Sequence, residues 1–349
     1  MHLDSAYESG PARTLRFLKS HSTEYLSGQD LSDVLGISRV SVWKHVKYLR
    51  DLGYGIESRQ KVGYRLDHTC DEPYPWEIAG EISTRTVGRR IHYYDFVEGS
   101  TQDIAAALDA DPANDGAVII AARQSNARGR GGKTWASPRG GIWMSVVLHP
   151  ECSASDAALL LPLGVGTAVA GAIRDACDVQ PELRWPNDIT VRGRKLAGII
   201  TEADMELDRI RTVCIGIGIN FDVDAEAIER EFGGSPGFYG AASITGELKG
   251  RRQSSASKEV GKTELVRRIL TRLDDTYHRL LAGQTDAITS EWTESSSTIG
   301  RRISSTTNGK TITGTAIGIA DNGMLIVRRD DSGDNDIALL TAGSIAYDP

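Results

Sequence analysis

The sequence predicts an α/β protein of several domains: an N-terminal winged helix-turn-helix, a central domain with a mixed sheet, and a small C-terminal β-barrel. Three observations support this. A basic helix-turn-helix pattern backed by a basic hairpin opens the chain. The middle alternates strand-like and helix-like runs around a glycine-rich cationic loop, Gln124 to Trp135. The tail has short strands around Asp321-Asn322-Gly323 and Ser332-Gly333, which are turn signals.

A chain of 349 residues is long enough for two or three domains. Its formal net charge of -7 excludes a protein basic throughout, so any nucleic-acid surface must be a local patch. Cys70, Cys152, Cys177 and Cys214 form no CxxC pair. They point to neither zinc nor a disulfide framework, and a cytoplasmic location is expected. The opening residues MHLDSAYESG lack a signal-peptide pattern. The longest apolar run, Ala157 to Ile173, contains Pro162 and three glycines. It falls short of the roughly 20 residues a membrane span needs, so a buried helix kinked or started near Pro162 is expected, with no membrane association.

In chain order, a first helix from about Ala12 places Leu15 and Leu18 on one face. Ser27 and Asp30 have capping-box spacing ahead of a second helix whose Leu31, Val34 and Leu35 are expected to share the inward face. A turn at Gly36-Ile37-Ser38 leads to a third helix with Val42, Val46 and Leu49 inward. Arg39, Ser41, Lys44, His45, Lys47 and Arg50 are then largely outward. Gly55 to Leu66 reads as strand, turn and strand. Between Ser38 and Leu66 seven cations face only Asp51 and Glu57. In an acidic protein that contrast points to DNA. Arg39, Ser41, Lys44 and Lys47 would lie in a groove, and Arg59 and Lys61 on phosphates. A charged domain used for protein contacts is the alternative. These boundaries assign 1–66 to the winged helix and 67–88 to a linker marked by Pro73 and Pro75, with a short helix around Trp76 to Ile82.

The central domain, 89–297, begins with a strand at Ile91 to Val97. Ser100, Thr101 and Gln102 stand before a helix starting near Ile104, where hydroxyls suit either a small polar ligand or plain helix capping. Strands at Ala117 to Ala122 and Ile142 to Leu148 flank the loop QSNARGRGGKTW. Arg128, Arg130 and Lys133 there sit on a backbone with little side-chain bulk. Such a loop can wrap an anion with main-chain N–H groups and planar guanidinium forks, at an entropic cost that keeps it mobile before ligand binds. A solvated basic loop is the alternative. Leu183 to Ile200 reads as a hairpin turning at Arg192-Gly193, with Asn187, Asp188 and Lys195 at its working surface. In VCIGIGIN, Cys214, Gly216 and Gly218 alternate with Val213, Ile215 and Ile217. Glycines on one face leave room for a flat group, or for close sheet packing. Arg251 to Gly261 is an exposed connection, and Leu265 to Leu281 an amphipathic helix with Leu265, Ile269, Leu273 and Leu280 inward. The last domain spans 298–349.

Together STQ at Ser100, the loop RGRGGKTW, RWPND at Arg184, RKLAGII at Arg194 and GIGIN at Gly216 closely resemble biotin protein ligases, in the same order. With its winged helix the chain resembles the bifunctional form that is also a repressor. The resemblance implies a catalytic domain akin to class II aminoacyl-tRNA synthetases and an SH3-like C-terminal domain. It also implies ATP, biotin and Mg²⁺ as reactants, formation of biotinyl-5′-AMP, and transfer of biotin to a lysine of a carrier protein such as that of acetyl-CoA carboxylase. Operator DNA is the second implied partner, bound by a ligand-promoted homodimer. Carried over by motif position, Lys195, Arg130 and Asp188 would be catalytic. Ser100, Thr101, Gln102, Gln124, Arg128, Gly129, Arg130, Trp135, Asn187, Lys195 and Gly198 would bind biotin and the adenylate, with Trp135 near adenine. Metal ligands are not identified. Two departures stand out: Ala127 replaces a glycine of the family loop, and Gln102 replaces asparagine. A lipoate ligase and a biotin-sensing repressor without turnover are the alternative readings.

Overall fold

A computed structural model describes residues 2–3, 9–150, 154–206, 209–235, 237–251, 260–307, 310–330, 336–341 and 344–347. It divides into two compact units. One runs Leu3–Glu81, and the other comprises Met1–His2 and Ile82–Pro349.

The chain opens with a two-residue strand, β1 (His2–Leu3), before the smaller unit's three helices. These are α1 (Gly10–Ser20), α2 (Gly28–Leu35) and α3 (Arg39–Asp51). The capping box at α2 forms: Ser27 Oγ accepts from Asp30 N at 3.0 Å and Asp30 accepts from Ser27 N at 3.3 Å. Gly36 ends α2 in the left-handed region with φ 65°. Ser38 then caps α3, accepting from Ser41 N. Leu15, Leu18, Leu31, Val42, Val46 and Leu49 are buried as their spacing predicts. Val34 is not: it is 57% exposed. At about 100° per residue it lies about 60° behind Leu31 and 100° from Leu35, outside the stripe those two leucines bury.

The hairpin β2 (Gly55–Arg59) and β3 (Gly63–His68) forms the wing. Part of the segment expected as a linker folds onto this unit. Tyr74, Trp76 and Ile78, at the short helix α4 (Pro75–Ile78), are buried. Glu77 is buried between Lys19 Nζ at 2.7 Å and the Tyr54 hydroxyl at 2.7 Å. The Trp76 indole N–H donates to Tyr54 at 2.8 Å. Two carboxylate contacts offset the cost of burying a charge.

The larger unit is built on a mixed eight-stranded sheet ordered β1-β4-β5-β8-β12-β11-β10-β9. Its strands are β4 (Ile91–Tyr94), β5 (Val118–Ala121), β8 (Ile142–Leu148), β9 (Glu182–Arg184), β10 (Asp188–Val191), β11 (Arg194–Glu206) and β12 (Arg209–Ile219). The β4–β5 pair is parallel; pairs from β5 through β8, β12, β11 and β10 to β9 are antiparallel. Between β5 and β8 the cationic loop folds as a small ribbon, β6 (Ala127–Arg128) against β7 (Thr134–Trp135). Helix α5 (Thr101–Leu108) starts three residues earlier than periodicity suggests, because Asp103 accepts from Ser100 N at 2.8 Å and completes a capping box.

Helix α6 (Ala154–Ala176) runs through Pro162. Its stretch Leu159–Ala176 is long and apolar enough to cross a membrane by length and composition, yet 67% of it is buried inside the protein. It packs on α9 (Lys262–Leu281) and α10 (Thr285–Glu294). Leu265, Ile269 and Leu273 of α9 are fully buried, each contributing about 1.5 to 3 kcal/mol of hydrophobic stabilisation. Two further helices, α7 (Ala225–Phe232) and α8 (Ile244–Arg251), precede α9. The expected connection Arg251 to Gly261 lies largely outside the described residues.

The tail forms a five-stranded antiparallel sheet ordered β16-β15-β14-β13-β17. Its strands are β13 (Arg302–Thr307), β14 (Lys310–Ile319), β15 (Leu325–Arg329), β16 (Ile337–Leu340) and β17 (Ser344–Tyr347). The Asp321-Asn322-Gly323 turn joins β14 to β15, while 331–335 lie outside the described residues.

Candidate active site

The glycine face of β12 receives a flat group, and that group is the protein's own Trp135. A Cβ on Gly218 would stand 2.6 Å from the Trp135 indole nitrogen, and one on Gly198 would stand 2.9 Å from its ring. Cross-strand pairing of Gly198 with Gly218 makes this a single cradle. Only hydrogen at both positions lets the indole lie against the sheet. The indole nitrogen is buried without a hydrogen-bond partner, and Trp143 meets the ring edge-on at 6.5 Å.

Lys195 Nζ lies 5.0 Å from the Trp135 ring centre and 2.7 Å from Asp188 Oδ1. The other Asp188 oxygen accepts from the Tyr239 hydroxyl at 2.7 Å. Burial, with the Asp188 charge second, pushes the Tyr239 phenol far above its ordinary value, so it remains a neutral donor. Register explains this meeting: Asp188 pairs with Gly198 across β10 and β11. Asn187 bridges outward from the same strand end. Its amide donates to Ile199 O at 2.7 Å, and its oxygen accepts from Arg130 at 3.1 Å. Desolvation lowers the Arg130 pKa against an opposing pull from Asp188, the environment in which a guanidinium gains most from an incoming anion.

At the N-terminus of α5, Ser100, Thr101 and Gln102 are all buried. Ser100 Oγ accepts from Gln102 N at 3.2 Å, so this serine caps the helix. The Thr101 hydroxyl contacts Ser145 Oγ at 2.8 Å, and its N–H donates to Gln124 Oε1 at 2.6 Å. Gln124 Nε2 in turn donates to Ser137 at 3.1 Å. Gln102 Nε2 donates to Glu202 at 3.1 Å and to Cys214 O at 3.2 Å, while its Oε1 is buried and unpartnered. The longer amide thus reaches over Gly216, where a Cβ would stand 3.1 Å from its side chain.

Arg128 pairs with Asp103 and, at 3.0 Å, with Glu202. Beside it a cavity of about 320 Å³ is lined by Asn126 to Gly129, Gly131 to Thr134, Ile200 and Glu202. Gly131 and Gly132 take φ of 65° and 73°, which the turn requires. Ala127 is buried in β6 with φ outside the left-handed region, so its methyl is accommodated.

Three neighbours escaped sequence reasoning: Tyr239, Glu202 and Ser145. Glu202 was findable, since period two along β11 puts Gly198, Ile200 and Glu202 on one face. Tyr239 had no local signal. Among the described residues no three His, Cys, Asp or Glu side chains gather to hold a metal ion.

In the winged-helix unit, Arg39, Lys44, Lys47, Arg59 and Lys61 are exposed and Ser41 is half-buried. Lys47 lies over Trp43, and Arg59 over Tyr25 at 4.5 Å. His45, expected outward, is a correction. Its Nδ1 meets Thr14 Oγ1 at 2.9 Å, holding α3 on α1. Arg50 is exposed yet structural, donating to Ile56 O at 2.7 Å and Ser58 at 2.8 Å to anchor the wing.

A winged-helix unit joined to an α/β domain with a cationic loop over a lysine–carboxylate pair defines a ligand-binding enzyme that also carries a DNA-binding module. Family models agree in chain order: an HTH domain at 12–65, the Biotin/lipoate A/B protein ligase family at 94–220, and the Biotin protein ligase C terminal domain at 298–346. The bifunctional ligase/repressor BirA of Bacillus subtilis is 32% identical over 309 residues, covering 88% of this chain and 90% of its own. That of Escherichia coli is 30% identical over 198 residues, covering 56% and 60%. The biotin protein ligase of Aquifex aeolicus, solved with biotin and ATP, superposes with a TM-score of 0.58 at 22% identity, over 74% of this chain and 98% of that one. The chain belongs to the biotin protein ligase family, in its bifunctional ligase/repressor form.

Proposed function

We propose that this chain activates biotin with ATP in the site around Lys195, hands it to a carrier-protein lysine, and uses the same adenylate to control operator binding. The observation that carries the catalytic reading is the Lys195–Asp188 ion pair at 2.7 Å beside Trp135, with Arg130 bonded to the adjacent residue Asn187 at 3.1 Å.

In the first step a biotin carboxylate oxygen attacks the α-phosphorus of ATP, and the bond to pyrophosphate breaks. No protein nucleophile is needed. What the site supplies is alignment and positive charge at oxygens that grow more negative. Arg128, Gly129 and Arg130 close over biotin and phosphate, exchanging the Asp103, Glu202 and Asn187 contacts for ligand oxygens. Lys195 holds a carboxylate or phosphate oxygen through both steps. Ser100, Thr101, Gln102 and Gln124 line the biotin end, and Trp135 on Gly198 packs near adenine. Mg²⁺ would enter on the triphosphate as part of the substrate and would offset its negative charge there, for which a protein cage of three donors is not required.

In the second step the carrier lysine attacks the acyl carbon, the amide forms, and AMP leaves. The attacking amine must be neutral, and Asp188 orients or deprotonates it. For repression, biotinyl-AMP orders the loop and favours a dimer whose two winged helices read a two-part operator through Arg39, Ser41, Lys44, Lys47, Arg59 and Lys61.

The test is incubation with ATP, Mg²⁺ and a biotin carrier domain, followed by peptide mass spectrometry. A biotinyl amide on one lysine with biotin, and no adduct with lipoate, is expected. A lipoyl adduct at comparable rate would move the assignment to the other branch of the family.

A further inference from the structure

The RWPND segment is held from outside the central sheet. The Arg184 guanidinium carbon lies 3.8 Å from the centre of the Tyr239 ring and 3.9 Å from that of Tyr347, so the cation is sandwiched between two phenols. Tyr347 belongs to β17, the last strand of the C-terminal sheet. Its hydroxyl donates to Trp185 O at 3.3 Å and contacts Thr298 Oγ1 at 2.8 Å, which in turn accepts from Trp185 N at 2.9 Å. Leu183 is fixed to the same region by backbone bonds to Ser295 and Ser297, both 2.8 Å. The inner phenol, Tyr239, is the donor to Asp188, and Asp188 is the partner of Lys195.

We propose that Tyr347 is a positioning residue for the ligase reaction: through the Arg184 sandwich it fixes the Tyr239 ring, whose hydroxyl fixes Asp188 against Lys195. The C-terminal sheet thereby sets the geometry of the catalytic pair without touching substrate. Each link has a physical basis. A planar guanidinium offers two faces to π-systems, which a lysine at position 184 could not. A phenol clamped on its ring face keeps its hydroxyl in one direction. A carboxylate with one oxygen committed to that hydroxyl leaves the other at a fixed angle to the ammonium. Freed from Arg184, Tyr239 can turn away, and Asp188 then swings with Lys195 instead of holding it.

The inference rests on the ligase reading above, and the experiment separates the two. Biotin-dependent exchange of labelled pyrophosphate into ATP is measured for the full chain and its variants, resolving kcat from KM. Tyr347→Ala is expected to lower kcat on the order of ten-fold, with KM for biotin unchanged, as misplacement without loss of substrate contacts does. Tyr347→Phe, which keeps the ring face and loses the hydroxyl, should retain at least about half the wild-type rate. Tyr239→Phe should resemble Tyr347→Ala, and the double variant should be no worse than the poorer single one. Where Tyr347→Ala does not fold, Tyr347→Leu fills the same space without a π-face and carries the same expectation. A wild-type kcat in the Ala or Leu variant would overturn the proposal. So would a Phe variant as slow as Ala, which would put the role in the hydroxyl's bonds to the backbone, or losses that multiply in the double variant. Absence of exchange in the wild-type chain would defeat the ligase reading and this inference with it. An active wild type beside an indifferent Tyr347→Ala would defeat this inference alone.

Discussion

Lys195 has its position fixed by its own backbone as much as by its side chain. Its N–H donates to Gly240 O at 3.0 Å and its carbonyl accepts from Ala242 N at 2.8 Å, so the segment that carries Tyr239 is bonded to the lysine that Tyr239 helps to orient. Replacing the ammonium with a shorter, neutral amide, Lys195→Gln, should reduce biotin-dependent adenylation by about 10²- to 10³-fold, the range for losing one charge-stabilising donor. Single-turnover formation of labelled biotinyl-AMP measures this, and a loss below three-fold would remove Lys195 from the chemistry. Asp188→Asn, which also loosens the hold on Lys195, should slow adenylate formation on the order of ten-fold and slow transfer to the carrier still more. Transfer at the normal rate would sink the role given to Asp188. Gly218→Ala tests the cradle: its methyl would stand 2.6 Å from the Trp135 nitrogen, so Trp135 must move. ATP affinity should fall at least about ten-fold, with a modest loss of stability from overpacking, and wild-type ATP affinity by titration calorimetry would contradict it. At this scale the sequence was informative where a motif is local. RKLAGII and GIGIN put Lys195, Gly198 and the glycine face in view. Tyr239, in a loop without periodicity, arrives only through tertiary pairing, and no spacing rule reaches it.

The elements hold together through a few buried polar anchors, of which Asp274 on α9 is the clearest. Its carboxylate accepts the backbone N–H groups of Arg85, Thr86 and Val87 at 2.8 to 2.9 Å. Burial alone would raise its pKa, but the three donors, with His278 nearby, outweigh that and hold it below the usual carboxylate range. A depressed folded-state pKa gives stability that is present above the unfolded value and lost as pH falls through the folded one. Asp274→Asn should therefore lower stability by about 2 kcal/mol near neutrality. Its gap to wild type should close below about pH 4. Thermal melting across pH checks this, and a gap that stays constant would show that the carboxylate charge is not what matters. Most element boundaries were legible because caps and periodicity are local: Ser27 with Asp30, Ser38, and Leu265 to Leu280 all behave as their spacing implies. The misses are tertiary. Val34 falls outside the stripe that Leu31 and Leu35 bury, His45 is turned toward Thr14, and Tyr74 to Ile78 fold onto the winged helix where prolines suggested a linker.

For the whole molecule, the cations proposed to contact DNA and the groups proposed to be catalytic lie in separate compact units, so the two activities should be separable by mutation. Arg39→Ala combined with Lys44→Ala removes two exposed cations of α3 and none from the ligase unit. Operator affinity should fall and the salt slope flatten by about four, two for each protomer of the bound dimer, with carrier biotinylation unchanged. Equal loss of both activities would mean that the winged helix supports the ligase structurally. Domain order and fold class were readable from composition shifts and charge contrast. The tie between the C-terminal sheet and RWPND was not, because Arg184 and Tyr347 are 163 positions apart in the numbering and meet only through packing. The reaction assigned to the Lys195 site is formation of biotinyl-AMP. It is tested most directly by exchange of labelled pyrophosphate into ATP with biotin, with lipoate, and with no acid. Exchange supported by biotin alone is the predicted result. No exchange from folded protein that still binds biotin would contradict it, leaving a biotin-sensing repressor without turnover.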